Sequence, residues 1–448
     1  MARFGEQTRL AMQNFTVSGE SFPLPVIHAL ALIKAEAASA NFALGALTLE
    51  PDVFRAIVEA AEEIAAGKFD DEFRIDVFQT GSGTSSNMNV NEVIAALVAE
   101  RRPGTNVHPN DHVNASQSSN DVVPSAVHLA VGRRVDGELV PALVHLAATL
   151  RDVAHQHRNT VKTGRTHLMD AVPVTLGQEL GGMARAVELG AERLRSALRR
   201  LLELPLGGTA TGTGLNAPPG FAALVISALA ERTGLPWVEA LDHFEAQGGR
   251  DALVEMSAMC RSVAVSMFKI ANDLRWMASG PVAGLGEIRL PALQAGSSIM
   301  PGKVNPVIPE VVCQVAAQVI GNDAAVAFAG ASGSFELNVM IPVIARNVLA
   351  SVHLLTGAAR SLADRCIGGI APDIESMQQL VERSPMLATA LNDLVGYDAA
   401  KDVVEQSLRT GESIQSVVVR LGLLDAADAK TRLGVLHLAR PDDAKRDV

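Results

Sequence analysis

The sequence predicts a mainly α protein built on a central bundle of five long helices, and three observations carry that expectation. Aromatic residues make up only 4% of the 448 positions, and Ala and Leu fill most apolar ones, which favours helices at close range over sheet cores rich in Tyr, Val and Thr. From Asp251 to Met277, residues Leu253, Met256, Cys260, Val263, Met267, Ile270, Leu274 and Met277 alternate spacings of three and four, a coiled-coil-like seam. Similar patterns run over Val122–Arg158, Leu176–Leu204, Val307–Phe328 and Leu337–Ala363, with Gly or Pro clusters between them.

Between the seam positions lie Ala258, Ala264, Val265 and Phe268, so the helix is apolar on more than one face and needs cover on several sides. At 1.5 Å per residue such helices reach roughly 35–55 Å, longer than one compact domain needs, which predicts a bundle shared between neighbouring subunits. Shorter helical patterns precede Asp111, and breaks at Pro372, Pro385 and Gly396 mark short helices after Cys366. The expected division is therefore an N-terminal domain over 1–111, a long-helix domain over 112–365 and a small helical domain over 366–448. This lies within the two to four domains, at roughly 100–200 residues each, that the length allows. No solenoid repeat or low-complexity tract is present.

A chain that is 48% hydrophobic and 19% charged is globular in composition. Lys plus Arg number 38 against 49 Asp plus Glu, a formal charge of −11, so no broad basic surface is offered to nucleic acid. An anionic substrate then requires a locally positive pocket. Cys260, Cys313 and Cys366 stand far apart without a C-x-x-C pair, as reduced core thiols do. Arg3 and Glu6 near the start are followed by no apolar signal region, and no charge-free run reaches the ~20 residues of a membrane span. The expected address is the cytoplasm, with no membrane partner.

Four polar loops each stand before a helix, where free N–H groups and the positive end of the dipole favour carboxylates. Thr80-Gly-Ser-Gly-Thr-Ser-Ser-Asn-Met-Asn offers Ser82, Thr84 and Asn87 as neutral donors before a helix expected from Val90, with Glu92 near a capping position. A phosphate loop is excluded because the Gly-Lys-Ser/Thr ending is missing. His108-Pro-Asn-Asp-His leads to Ser118, Ser119 and Asn120, with Asp121 as the expected N-cap and Pro124 in the first turn. No further Cys or His with ligand spacing follows His108, Asp111 and His112, so no metal is expected there. Gly164-Arg-Thr-His precedes a capping box of Thr175 and Gln178, and His167 has the ordinary pKa for proton transfer. Gly296-Ser-Ser-Ile-Met-Pro-Gly-Lys-Val-Asn-Pro combines a Ser pair, Lys303 and an expected cap at Asn305–Pro306 with glycines that permit movement.

This last segment resembles the signature of the fumarase/aspartase superfamily, Gly-Ser-Ser-x-Met-Pro-x-Lys-x-Asn-Pro, and the likeness extends to the three other loops, to Gly207–Asn216, Lys269–Asp273 and Gly321–Ala325. Gly-Arg-Thr-His at 164–167 and Gly302 follow the class II fumarase form, whereas Pro306-Val-Ile-Pro-Glu and Ser351-Val-His-Leu-Leu-Thr look aspartase-like. Position 105, commonly basic in that superfamily, is Thr105.

The resemblance implies reversible hydration of fumarate to L-malate without a cofactor, on a homotetramer whose active sites draw loops from three chains. It implies Ser297 as the catalytic base and His167, through water, as the acid, with Lys303 and Glu310 also important for activity. Ser82, Thr84, Asn87, Ser118, Ser119, Asn120, Thr166, Ser298, Lys303 and Asn305 resemble contacts to the dicarboxylate. His108, Asn110 and Asp111 resemble a secondary carboxylate site at the entrance. The alternatives are an aspartate ammonia-lyase sharing the fold and a non-catalytic helical scaffold, which has no use for Ser297, Lys303 and His167 together. Removing a proton beside a carboxylate creates an aci-carboxylate, so preorganised donors must meet the added charge, and a serine base needs groups that stabilise its alkoxide.

Overall fold

The computed structural model describes residues 3–440. Helices α1 (Glu6–Asn14), α2 (Leu24–Ala43), α3 (Pro51–Ala65), α4 (Thr84–Arg101) and α5 (Ser119–Arg134) open the chain. A π-type turn at Val135–Leu139 joins α5 to α6 (Val140–Gln156). The antiparallel hairpin β1 (Val161–Thr166) and β2 (Met169–Thr175) leads into α7 (Leu176–Leu201). Then come β3 (Glu203–Leu204), α8 (Phe221–Thr233), β4 (Val238–Glu239), α9 (His243–Gly248) and α10 (Asp251–Met277). β5 (Ile288–Arg289) precedes α11 (Val307–Gly330) and α12 (Ile341–Arg365), and β6 (Ala371–Pro372) pairs with β5. The chain ends with α13 (Ile374–Arg383), α14 (Asn392–Val395), α15 (Tyr397–Thr410), α16 (Ile414–Arg420), α17 (Ala426–Arg432) and α18 (Val435–Ala439).

Backbone contacts divide the molecule into two compact units. One runs from the N-terminal part to Ala142 and adds Gly190–Val265 and Gln314–Gly357; the other takes Leu143–Leu189, Ser266–Cys313 and the chain from Ala358 on. In the first, α2 is the hub, packed by α3, α4, α5 and α8. It is buried along most of its length, with Ala29, Ala31, Ala35, Ala37 and Ala38 inside, because small side chains let four neighbours approach one axis. In the second, α13 lies on β1 and α18 on β2, while Leu387, Leu391, Val403, Ile414, Val417 and Val418 form a small core of their own.

All eight seam residues of α10 are buried, as their spacing requires, whereas Val265, Phe268 and Trp276 on another face of the same helix remain exposed. The long pattern over Val122–Arg158 is one helical path interrupted by the π-type turn at Asp136-Gly137, and α12 starts at Ile341, where Pro342 fits the first turn. Two segments, Val307–Gly330 and Ile341–Gly369, are long and apolar enough to cross a membrane by length and composition alone. Several of their polar groups pair within the first unit. Asp323 accepts from the Ser257 hydroxyl at 2.8 Å and pairs with Arg261, and Asn322 donates to Ser351. Burial pushes the thiols of Cys260 and Cys366 up to about 12, so both are inert core groups.

Gly81 sits where the chain approaches the segment before α12: its carbonyl accepts the Ile341 N–H, and a Cβ there would fall 1.7 Å from the Val339 carbonyl oxygen. Gly81→Ala is therefore expected to cost about 2–3 kcal/mol in urea unfolding through forced backbone displacement. Gly137→Ala, with nothing within 4 Å of the added carbon, should stay within about 0.5 kcal/mol of the parent.

Candidate active site

The hydroxyl-bearing residues of the first two loops meet in the first unit. Helix α4 begins at Thr84, six residues earlier than the sequence suggests, because Gly83 takes a left-handed φ of 74° and lets the chain turn directly into the helix. Thr84, Asn87 and their neighbours are thus helical. Glu92 is no cap of its own helix: it accepts the N–H groups of Gly5, Gln7 and Thr8 and the Thr8 hydroxyl, capping α1 from a distance. The α5 boundary also moves. Ser118 is the N-cap and Asp121 the third helical residue, in a reciprocal box where Ser118 Oγ accepts the Asn120 N–H and Asp121 Oδ1 accepts the Ser118 N–H.

This start brings α5 against α4, and a chain of hydroxyls runs from Ser82 to Thr84 at 2.7 Å and from Thr84 to Ser119 at 2.6 Å. Asn120 donates to the Ala210 carbonyl, and the buried Asp121 accepts N–H groups from Gly207 and Thr209, fastening that loop beside the cluster. Burial lifts the Asp121 carboxyl above its ordinary pKa, opposed by the N–H groups of Ser118, Gly207 and Thr209. Asn87 lies beneath the hydroxyls at 2% exposure and donates to Asn114.

His108 caps the five-residue π-type turn Pro109–Val113, its Nδ1 accepting the Asp111 N–H at 3.1 Å. Asn110 and Asp111 stand exposed on this turn, so the three residues of the suggested entrance site do share one surface feature.

The remaining candidates belong to the second unit. Thr166 and His167 are exposed at the β-hairpin, whose tip residues His167 and Leu168 both take left-handed φ values, 56° and 60°. The Thr166–Met169 pairing leaves a two-residue loop, and tight hairpin turns of this length take φ > 0 at both central residues, at a cost for side chains other than glycine. The anchor is a buried ion cluster. Lys162 pairs with Glu179 at 2.8 Å and with Glu287 at 3.1 Å, and Arg165, one residue before Thr166, reaches Glu287 at 2.8 Å. Glu287 is 0% exposed. The Thr175–Gln178 box at the start of α7 forms as expected, with bonds of 2.9 and 3.0 Å.

In the fourth loop, Gly296 N–H donates to the Lys303 carbonyl at 2.8 Å, and the Asn305 amide donates to the Gly296 carbonyl at 2.9 Å, closing residues 296–305 into a ring. Asn305 therefore ties the loop base instead of capping α11, which starts at Val307 with Glu310 in its first turn. Ser297 Oγ accepts the N–H groups of Ile299 and Met300 at 3.2 and 3.1 Å. Two donors on one hydroxyl oxygen favour its deprotonated form. Ser298 and Lys303 are exposed.

Lys34, Lys162, Glu179 and Glu287 escaped the motif reading. For Lys34 the signal available was a charge whose helical neighbours Leu30, Ala31, Ile33, Ala35, Ala37 and Ala38 are all apolar. Among the described residues no group of three His, Cys, Asp or Glu side chains is placed to hold a metal ion. A cavity of about 480 Å³ in the first unit is lined by His128, Arg200, Glu203, Glu245, Arg250 and Glu255 among others; carboxylates outnumber cations there, so it does not suit a diacid.

Residues 2–321 match the sequence family described as lyase, and residues 387–440 match the fumarase C C-terminus. Class II fumarate hydratases of Mycobacterium tuberculosis and Corynebacterium efficiens are 52% and 53% identical, over 98% and 97% of this chain and 93% of each relative. The chain belongs to the class II fumarate hydratase family. The crystal structure of a class II fumarase from Schistosoma mansoni superimposes with a TM-score of 0.95 at 36% identity, covering 98% of this chain and 96% of that one. A fumarate lyase:delta crystallin from Brucella melitensis gives 0.93 at 44% identity, with the same coverage. Within this class II fumarate hydratase fold, the Glu287 cluster is what holds the Thr166–His167 tip. Glu287→Gln should lower stability by about 3 kcal/mol, because the partly buried Arg165 loses its carboxylate and the buried Lys162 is left with Glu179 alone. Adding Lys162→Met should recover part of that loss, as a double-mutant cycle by thermal melting would register.

Proposed function

We propose that this chain is a fumarate hydratase, catalysing the reversible, stereospecific hydration of fumarate to L-malate as a step of the tricarboxylic acid cycle. The observation that carries the reading is the pair of backbone N–H groups on Ser297 Oγ, inside a ring closed by Gly296, Lys303 and Asn305. In the dehydration direction the Ser297 alkoxide takes a proton from the C3 methylene of malate. The electron pair passes into the adjacent carboxylate as an aci-carboxylate, and the C2 hydroxyl leaves as water, protonated by His167 through a bound water. Acid and base act on opposite faces, giving anti elimination. Lys303 and the hydroxyl and amide donors, Ser82, Thr84, Asn87, Ser118, Ser119, Asn120, Thr166, Ser298 and Asn305, meet the carboxylates and the added charge, with Glu310 in support. No cofactor enters. His108, Asn110 and Asp111 form a secondary carboxylate site.

The working unit in this reading is a homotetramer, each active site assembled from loops of three copies. Its support is the apolar surface left open on the long helices: Val265, Phe268 and Trp276 on α10, and Val311, Ile320 and Phe328 on α11. The division at 1–111, 112–365 and 366–448 belongs to the same reading; residues 441–448 lie outside the described ones. A cytoplasmic address goes with it.

Two measurements test the proposal. L-malate, and not L-aspartate, should generate the ultraviolet absorbance of fumarate; activity on aspartate alone would give the aspartate ammonia-lyase reading. Ser297→Ala should reduce kcat by about 10²–10⁴-fold, the usual worth of a general base, with the melting temperature within about 2 °C of the parent. Retained turnover removes Ser297 from the base role.

A further inference from the structure

Lys34 occupies the middle of α2, the hub helix of the first unit, at 0% exposure. Its ammonium donates to Asn114 Oδ1 and Gln117 Oε1, each at 3.3 Å, and no carboxylate among the described residues lies within ion-pairing distance of it. Asn114 Oδ1 also accepts from Asn87 at 3.0 Å and Asn91 at 3.3 Å, so one amide oxygen joins α2, α4 and the turn that leads into α5. Asn87 and Asn91 each keep a buried oxygen without a partner, so the network is under-supplied with donors and the ammonium is its one source of positive charge. Four residues beyond Asn114 come Ser118, Ser119 and Asn120.

We propose that Lys34 is the positioning residue of the hydroxyl cluster: its buried ammonium holds Asn114 and Gln117, and through them Asn87 and the turn ending in Ser118–Asn120, in the arrangement that receives a carboxylate. The proposal rests on the diacid reading above. A buried cation whose direct partners are all neutral is poorly compensated in the free protein. An arriving dianion supplies the missing charge, so in a chain of formal charge −11 Lys34 gives the hydroxyl cluster a locally positive underside, in addition to Lys303 of the fourth loop.

Binding is then linked to protonation. Burial draws the Lys34 pKa down to about 7, with the Asp121 carboxylate opposing. Asp121 is the charged group that faces it. Glu92 on α4 is turned to the start of α1, Glu36 and Glu62 to Arg232 of α8, and His108 and Asp111 to each other. The ligand's charge raises the Lys34 pKa in the complex. Affinity is therefore full below about pH 7, falls as pH rises toward the higher value, and a proton is taken up on binding in that window.

The test is calorimetric titration of succinate, an unreactive diacid, into the full-length protein in buffers of different ionisation enthalpy, with KM and kcat for L-malate from pH 6 to 9. For a one-unit rise in pKa, about half a proton per site is taken up near pH 7.5, and KM climbs about tenfold across the range. Lys34→Met should start with KM raised about tenfold at pH 6 and show no further rise, with kcat changed less than threefold. Lys34→Arg should keep a low KM and lose the alkaline rise. A merely structural lysine would move the melting temperature and leave the pH profile as in the parent; that profile in Lys34→Met, or no proton uptake by the parent protein, overturns the proposal. The second measurement stands even if both variants misfold. Absence of malate turnover with succinate-linked uptake intact would strike the hydratase reading and leave Lys34 in place.

Discussion

Carboxylates set where backbone N–H groups converge hold the first unit together. Glu92 gathers Gly5, Gln7 and Thr8; Asp76 gathers Val17, Ser18, Gly19 and Phe78; Asp121 gathers Ser118, Gly207 and Thr209. Each joins segments far apart in sequence, and each is nearly or wholly buried. Charge-assisted bonds of this kind are about twice as strong as neutral ones and directional, so they determine where a loop sits to a degree that apolar packing does not. At Asp76 burial raises the carboxyl pKa, but the N–H groups of Phe78, Ser18 and Gly19 and the Ser18 hydroxyl more than reverse this and bring it to about 2. At Asp121 burial wins. The difference follows from surroundings, since Asp121 is wholly buried whereas Asp76 keeps some exposure.

The second unit answers the same problem with side-chain cations. Glu287 receives Lys162 and Arg165, while its backbone carbonyl accepts the Asp373 N–H and its own N–H donates to Met277. One residue thereby fastens the hairpin that carries His167, the end of α10 and the strand that leads toward residues 296–305. The exposed chemical groups sit on small elements by comparison: Ser297 on a ring of ten residues, His167 on a two-residue tip. Rigid anchors beneath small reactive loops are what preorganised electrostatics requires, because donors that must reorient during reaction contribute less.

Much of the architecture was legible because helical periodicity is a local property. The α10 seam could be placed residue by residue, since three-and-four spacing admits one buried face, and the Thr175–Gln178 box could be read because its partners lie three residues apart. The starts of α4 and α5 were misread for a common reason. Glu92 and Asp121 look like caps from sequence, but the N–H groups that Glu92 satisfies lie about 85 residues away, and Asp121 divides its oxygens between Ser118 and a loop about 90 residues on. Spacing rules that see only neighbours assign such a carboxylate to the nearest helix end. Asn305 was displaced in the same way, its amide closing the loop at Gly296 nine residues back instead of capping α11.

By itself, then, the amino-acid order determined the helical class, the long-helix seam and the chemical groups offered by four loops, because periodicity and residue type are written along the chain. Tertiary structure alone decided which carboxylate holds which loop, that Lys162 and Arg165 meet on Glu287, and that Lys34 is buried among neutral amides. Those facts depend on distances between residues tens to hundreds of positions apart, and a charge's pKa, partner and worth are set by what the folded chain brings within a few ångströms of it.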